Sequence, residues 1–438
     1  MLTDLKEIIS IDTTLAPQSA VDAPFGQNLR NALDWFLNKA SSYGLKVGED
    51  NGFCGWADYG DSDKPLIGIL CHADIVPCGE GWDTNPLELV EKDGNLYGRG
   101  VTDDKGALVV ILHLLKRLKE ENVGLKHRIR LIVGLNEETD SACIKRYAKN
   151  QEIPKVSLVP DADFPVINSE KGILHAICSS TVPQAVSENL FNFSAGKRAN
   201  VVPDKAFFTV SEKFYNLIIT GAHHLSSSDF AVEKDGDNYT FTTFGLSGHA
   251  CAPENSVNAI YKAFTLLACA DEFFAVLRDK GCSYSCELYN SLYAFDKSGG
   301  LTFNVGIISF DKKALTLTYD FRLPLCVNYQ SVMTALEKIY ERAEVVKFSP
   351  NLFVDENSPL IKTLLSVYRS VTGDKKAKPL QIGGGTYARE LPNAVAFGPT
   401  FDLRIANIHS ANEFMPVADL YKFSEIYYKA IIELDKIF

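Results

Sequence analysis

A chain of 438 residues is too long for one hydrophobic core of ordinary size, so two domains are expected. Hydrophobic residues at 46% and charged residues at 23% give the balance of a soluble globular enzyme. The net charge of −11, with no basic run, argues against nucleic acid, and no apolar stretch is long enough to span a bilayer. The ten cysteines show no CxxC pair and no regular spacing, and residues 1–14 lack the unbroken apolar core that export requires. Free thiols in a reducing cytoplasm, with no membrane partner, are the expectation.

Apolar periodicity predicts helices over residues 2–9 and 27–43, joined by a proline-containing loop. Short strands are expected at 45–49 and 55–59, then a polar turn and a continuous apolar strand at 65–71 of the kind buried on both faces. Residues 104–121 place Leu108, Ile111, Leu112, Leu115 and Leu118 on one helical face. A strand at 128–135 runs into Asn136, Glu137 and Glu138. A helix at 141–149 and a strand at 156–159 follow, ending in Pro160-Asp161-Ala162-Asp163. This alternation predicts an α/β layer with polar residues gathered at strand ends. After Gly172 the texture changes to β-like runs at 207–210, 238–244, 301–308 and 315–321 around one long helix over 257–277, which predicts an inserted α+β domain. From Ser358 the α/β pattern returns: a helix at 359–372, a Gly383-Gly384-Gly385 turn, a strand at 394–397 and a closing helix at 417–437.

Several polar clusters stand at predicted strand ends of the α/β layer, where open sheets bind ligands. His72 and Asp74, two apart along a strand, can face one cavity, or His72 can simply bond to a loop. Asp103 and Asp104 precede a helix, as an N-cap with a favourable charge or as a carboxylate bridging two cations. Glu137 and Glu138 read as solvated acids or as a ligand with a proton shuttle. Asp161 or Asp163 forms the next cluster, and His409 lies in Asn407-Ile408-His409-Ser410-Ala411-Asn412-Glu413. Two histidines with three or more carboxylates make a nitrogen and oxygen donor set for two divalent ions. His113 is expected on a solvated helix face, His127 in a structural role and His175 as packing; His223 and His224 chelate at most adventitiously. Cys71 and Cys78 read as packing residues, and Cys282 and Cys286 are too isolated for a zinc site. No G-x-S-x-G elbow is present, and Asp103 stands where a dinucleotide loop would need a third glycine after Gly98-Arg99-Gly100.

HADIVPCGEGW, LYGRGVTDDKGA, NEETDS, PDADFPVINSEKG, GHACAPENSVNA, DFRLP, GGGTYAR and the late His409 follow one another along nearly the whole chain. Through them it resembles the aminoacylase/dipeptidase family of co-catalytic zinc metallopeptidases, nearest the PepV-type dipeptidases. The resemblance implies a mixed-sheet, three-layer α/β catalytic domain in residues 1–177 and 352–438, with an inserted α+β lid at 178–351. It implies a two-metal dipeptidase acting on unblocked dipeptides, with zinc, manganese or cobalt, the alternative being an N-acyl-amino-acid deacylase or desuccinylase on the same metal site. By the same resemblance His72 and Asp161 hold one metal, Glu138 and His409 the other, and Asp103 bridges them. Asp74 would orient His72, and Glu137 would activate the metal-bridged water as general base. His249 would polarise the scissile carbonyl together with the metal, while Asn200, Arg322, Gly384, Gly385, Thr386 and Arg389 contact the substrate. A lid longer than the dimerising lids of the deacylase branch implies a monomer.

Overall fold

The run Leu66–His72 forms a strand buried along its whole length, as uninterrupted apolar sequence between two helical layers requires. The computed structural model describes residues 1–222, 225–226, 228–402 and 406–438, so His223 and His224 lie outside the described residues. The chain divides into two units. The first comprises Met1–Ser169, Leu352–Leu380 and Gly385–Phe438; the second comprises Glu170–Asn351 and Gln381–Gly384.

The first unit is built on a mixed sheet. Its strands are β1 (Lys46–Glu49), β2 (Cys54–Tyr59), β3 (Leu66–His72), β4 (Arg128–Gly134), β5 (Val156–Val159), β6 (Ile167–Glu170), β7 (Leu352–Phe353) and β8 (Ala394–Ala396). They lie in the order β1-β2-β4-β3-β5-β8-β6-β7. The centre, β4-β3-β5-β8, is parallel, and β1, β2 and β6 pair antiparallel around it. Alternation splits the two faces. Ile67, Ile69, Ile129 and Leu131 join a core with Leu108, Ile111 and Leu115 of helix Lys105–Glu120 and Phe423, Tyr427 and Ile431 of helix Val417–Ile437. On the opposite face helix Ala142–Asn150 sets Tyr147 edge-on to Trp56, 6.0 Å between ring centres, and Tyr147 accepts a hydrogen bond from Arg130 at 3.0 Å. The result is three layers.

The second unit is an antiparallel sheet with strands in the order Phe230–Asp235, Asn238–Phe244, Lys205–Ser211, Leu190–Ala195, Thr302–Phe310, Ala314–Leu323, Gly172–Thr181 and Arg342–Ser349. Burial alternates along Gly172–Thr181 and Asn238–Phe244, so one face meets the core that helices Glu212–Gly221, Ala259–Leu267 and Tyr329–Leu336 complete. Gly172–Thr181 is one unbroken strand paired on both sides, which is why this unit starts ahead of residue 178.

Two expectations are corrected here. The single helix over 257–277 is two helices, Ala259–Leu267 and Glu272–Lys280, because the Asp271 side chain accepts from Phe273 N at 2.9 Å and starts a new one. The apolar period runs through the break because both helices bury residues in the same core. His113 is half-buried rather than on a solvated face: its Nε2 lies 2.8 Å from Asp4 Oδ2 and its ring packs against Tyr43 at 5.5 Å. His127 is buried, with Nδ1 3.0 Å from Asp435 Oδ1, as a structural histidine should be. Among the described residues no helix is long and apolar enough to cross a membrane.

Candidate active site

Parallel pairing decides where the polar residues go. The register sets His72 beside Gly134 and Ile69 beside Leu158, so the chain leaves β3, β4 and β5 at one edge of the sheet. His72 is the last residue of β3, Glu137 and Glu138 follow β4, and Asp161 follows β5. Asp103 reaches the same place from the loop ahead of helix Lys105–Glu120. Gly106 is required in that turn, because a Cβ there would lie 1.9 Å from the Val101 carbonyl oxygen.

His72 Nδ1 lies 3.0 Å from the Asp74 carbonyl oxygen. A carbonyl only accepts, so Nδ1 carries the proton, and in the neutral ring Nε2 presents its lone pair. That Nε2 is 2.8 Å from Asp103 Oδ1 and 3.9 Å from Asp161 Oδ1. The other oxygen of Asp103, Oδ2, lies 2.9 Å from His409 Nε2, which is also 3.1 Å from Glu138 Oε1. Donor atoms of His72, Asp103 and Asp161 fall within 4.8 Å of one another, as do those of Asp103, Glu138 and His409. Asp103 belongs to both groups. Asp163 does not join them; it accepts from Thr400 Oγ1 at 2.8 Å.

Two local readings change. Asp74 reaches His72 chiefly through its main-chain carbonyl, with its carboxylate 3.4 Å from Nδ1. The carboxylate accepts instead from the main-chain N–H groups of Glu137 and Glu138, both at 3.0 Å, and so pins the acid pair. Asp104 stands at the helix N-cap position without a capping bond; its Oδ2 accepts from His72 N at 3.1 Å.

The charges are crowded. Burial and the neighbouring Asp103 charge push Asp161 up to about 7. Burial, then Asp161, lifts Glu137 well above the usual carboxylate range, and burial with Asp103 raises Glu138. Burial opposes charging of the two histidines, but hydrogen bonds to Asp103 and Asp161 hold His72 high, and those to Asp103 and Glu138 take His409 up to about 11. Burial also works to raise Asp103, yet His409 and His72 together hold it below the carboxylate range. A neutral imidazole nitrogen facing a carboxylate oxygen at 2.8 Å is acceptor against acceptor, a gap that a proton or a cation must fill. This nitrogen and oxygen donor set fits divalent ions.

The second unit pairs Val201–Val202 with Gly248–His249, and Ala250 N donates to the Asn200 carbonyl at 3.0 Å, so Asn200 and His249 are neighbours. His249 is exposed, and its Nδ1 accepts from Cys251 N at 3.1 Å. Arg322 donates through Nε and Nη2 to Asp320 at 2.7 and 2.9 Å, and through Nη1 to the Gly383 carbonyl at 2.9 Å. His175 is not only packing, since its Nε2 lies 2.8 Å from Asp320 Oδ2. The unit boundary falls between Gly384 and Gly385. Thr386 Oγ1 accepts from Ala388 N at 3.2 Å, and Arg389 lies against Gly385, where a Cβ would meet its Nη2 at 2.1 Å.

Sequence reasoning missed Tyr387 and Glu413. Tyr387 is fully buried with its ring edge-on to His72 at 6.2 Å, and a Gly134 Cβ would fall 2.1 Å from its hydroxyl. Glu413 is also fully buried. Its signal was an acid set directly before the apolar Phe414-Met415 pair.

A three-layer α/β unit with two overlapping His–carboxylate groups at the ends of parallel strands defines a metallohydrolase. The profile of peptidase family M20/M25/M40 matches residues 68–433, and the chain belongs to that family, as a metal-dependent hydrolase acting on peptide bonds. It is 32% identical to "Putative dipeptidase YtjP" of Bacillus subtilis, over 100% of this chain and 97% of that protein. It is 33% identical to a Staphylococcus epidermidis protein also designated "Putative dipeptidase", over 99% and 97%. Human carnosine dipeptidase 1 shares the fold with a TM-score of 0.59 at 14% identity, covering 100% of this chain and 97% of that one. A Staphylococcus aureus tripeptidase aligns with a TM-score of 0.58 at 15% identity, covering 99% and 98%.

Proposed function

We propose that this chain is a dipeptidase that works with two divalent ions and cleaves the peptide bond of unblocked dipeptides. The observation that carries the reading is Asp103, whose two oxygens are divided between His72 with Asp161 on one side and His409 with Glu138 on the other. His72 and Asp161 would hold one ion, Glu138 and His409 the second, with Asp103 shared. Zinc, manganese and cobalt all suit these donors. When bound, the ions supply Lewis acidity for the scissile carbonyl and for the attacking water.

The remaining steps belong to side chains. Asp74 fixes the His72 tautomer through its carbonyl and holds the Glu137–Glu138 turn through its carboxylate. Glu137, whose main-chain N–H is held by the Asp74 carboxylate, is assigned the proton transfer: it takes a proton from water and returns it to the leaving amine nitrogen. His249, with Nδ1 occupied as an acceptor, carries its proton on Nε2 and is a donor suited to the substrate carbonyl oxygen. Asn200, the Gly384-Gly385-Thr386 turn and Arg389 are assigned to the substrate main chain. Arg322, one edge of which is taken by Asp320, is assigned to its carboxylate.

Glu137→Gln tests the assignment. It should retain both ions on metal analysis while turnover falls by roughly 10²–10⁴-fold. Turnover near the parent level would remove Glu137 from its role. Rates on free dipeptides should far exceed those on N-acetyl and N-succinyl amino acids; the reverse order would make the enzyme a deacylase.

A further inference from the structure

The proposed ligands are held by different means. His72 ends a sheet strand, Glu138 and Asp161 follow closely on others, and Asp103 leads directly into a helix. His409 has neither support: it stands at φ +63° in a loop that becomes extended only at Phe414–Pro416. Something else must place it.

Glu413 is positioned to do so. Its Oε1 accepts from the main-chain N–H groups of Gly100 at 3.1 Å, Thr102 at 2.9 Å and Asp103 at 3.2 Å. Its Oε2 accepts from Arg99 Nη1 at 2.7 Å, in a pair where Arg99 is 1% and Glu413 0% exposed. Arg99 reaches on: Nη2 donates to the Cys78 carbonyl at 3.3 Å, and the guanidinium lies 5.2 Å from the Trp82 ring centre. Trp82 Nε1 donates to the same carbonyl at 2.8 Å, and Asn412 Oδ1 accepts from Asp83 N at 2.9 Å. One buried ion pair therefore ties together the loop after Asp74, the loop carrying Asp103 and the loop carrying His409. A buried pair of this kind adds little stability over apolar packing of the same volume, so its use is better sought in the geometry it fixes.

We propose that Glu413, braced by Arg99, is a positioning residue that sets His409 against Asp103 and thereby tunes the affinity of the Asp103–Glu138–His409 group for its ion without touching that ion. This rests on the two-ion reading above. The His72 group shares Asp103, but its other two members, His72 and Asp161, stand at strand ends, so it should be much less sensitive.

The test is a calorimetric titration of metal-stripped, full-length protein with Zn²⁺ or Mn²⁺ alone. Asp161→Asn leaves the His409 group as the stronger site, and His409→Ala leaves the His72 group. Adding Glu413→Gln to Asp161→Asn should weaken ion binding by roughly 10–100-fold, whereas adding it to His409→Ala should change binding by less than about threefold. Equal losses in both backgrounds would reduce Glu413 to a part of the general fold, and no loss in either would make the pair inert; both overturn the proposal. If Glu413→Gln fails to fold, judged by the melting of the metal-free protein, Arg99→Lys replaces it, with the same selective loss expected and the same equal or absent loss overturning it. A parent protein that binds a single ion would instead overturn the two-ion reading, and the proposal with it, before any Glu413 variant is compared.

Discussion

Asp161 and its neighbours form a centre whose charges repel, and in the metal-free protein that repulsion has a definite pH dependence. Asp161 is lifted from its ordinary 3.8 to about 7. The folded chain therefore holds a proton there that the unfolded chain has released, and stability falls as pH rises from about 4 to about 7. His72 and His409 are raised above their ordinary 6.5; their contribution is fully present below that value and is lost as pH climbs through the folded values. Asp103 is held low, and its contribution is lost only in acid, below the window in question. The larger effects thus point one way. Chelator-treated protein should melt at lower temperature at about pH 8 than at about pH 5.5, and Asp161→Asn should raise the melting temperature at the alkaline end and flatten the profile. Saturating divalent ion should reverse the slope. Differential scanning calorimetry across the range decides it; a metal-free protein that gains stability toward pH 8 would mean the carboxylates separate when no ion is present.

At the level of elements, the turn into helix Lys105–Glu120 is where backbone fit and site geometry meet. Gly106→Ala would press a methyl group against the Val101 main-chain carbonyl at 1.9 Å, and neither atom can swing aside, so relief must come from moving the turn that carries Asp103. Denaturant unfolding should show a loss of about 1–3 kcal/mol, and metal affinity should fall with it. An unchanged midpoint would show that the turn is softer than this contact implies. This turn was only half legible beforehand: the helix was visible from its apolar stripe, the close approach was not. The same division runs through the molecule. β3, β4 and β5 were readable because strands buried on both faces are continuously apolar, and the polar residues at their ends gather at one edge of the sheet as the candidate site. Partnerships across long stretches of chain left no local trace. His113 sits on a charged helix face and was read as solvated, but its partner Asp4 is 109 residues away. Arg99 and Glu413 are 314 residues apart, and nothing beside either one announces the other. The division of residues 257–277 into two helices escaped because a single side-chain cap at Asp271 interrupts an apolar pattern that both halves share.

At the scale of the whole molecule, the second unit's sheet bears on whether one chain is the working unit. Its order leaves Phe230–Asp235 and Arg342–Ser349 as edge strands, and an edge with unpaired backbone groups invites a second copy. Arg342–Ser349 also exposes Val345 at 44%, Val346 at 56% and Phe348 at 40%. Against this, charges are spread along both edges: Arg342, Glu344 and Lys347 on one, Glu233, Lys234 and Asp235 on the other. Arg342 and Glu344 already form an ion pair, and the pairing of Arg342–Ser349 with its neighbour shifts register between His175 and Ala176. Charge and irregular register both hinder edge-to-edge association. Each partner would also bring its own net charge of −11, a repulsion that salt screens only in part. Light scattering should therefore give the mass of one chain, 48.3 kDa, unchanged on dilution. A mass near twice that would mean the exposed valines outweigh the charges, and Val346→Lys should then return the protein to single chains, because it sets a charge in the most exposed apolar position of the strand.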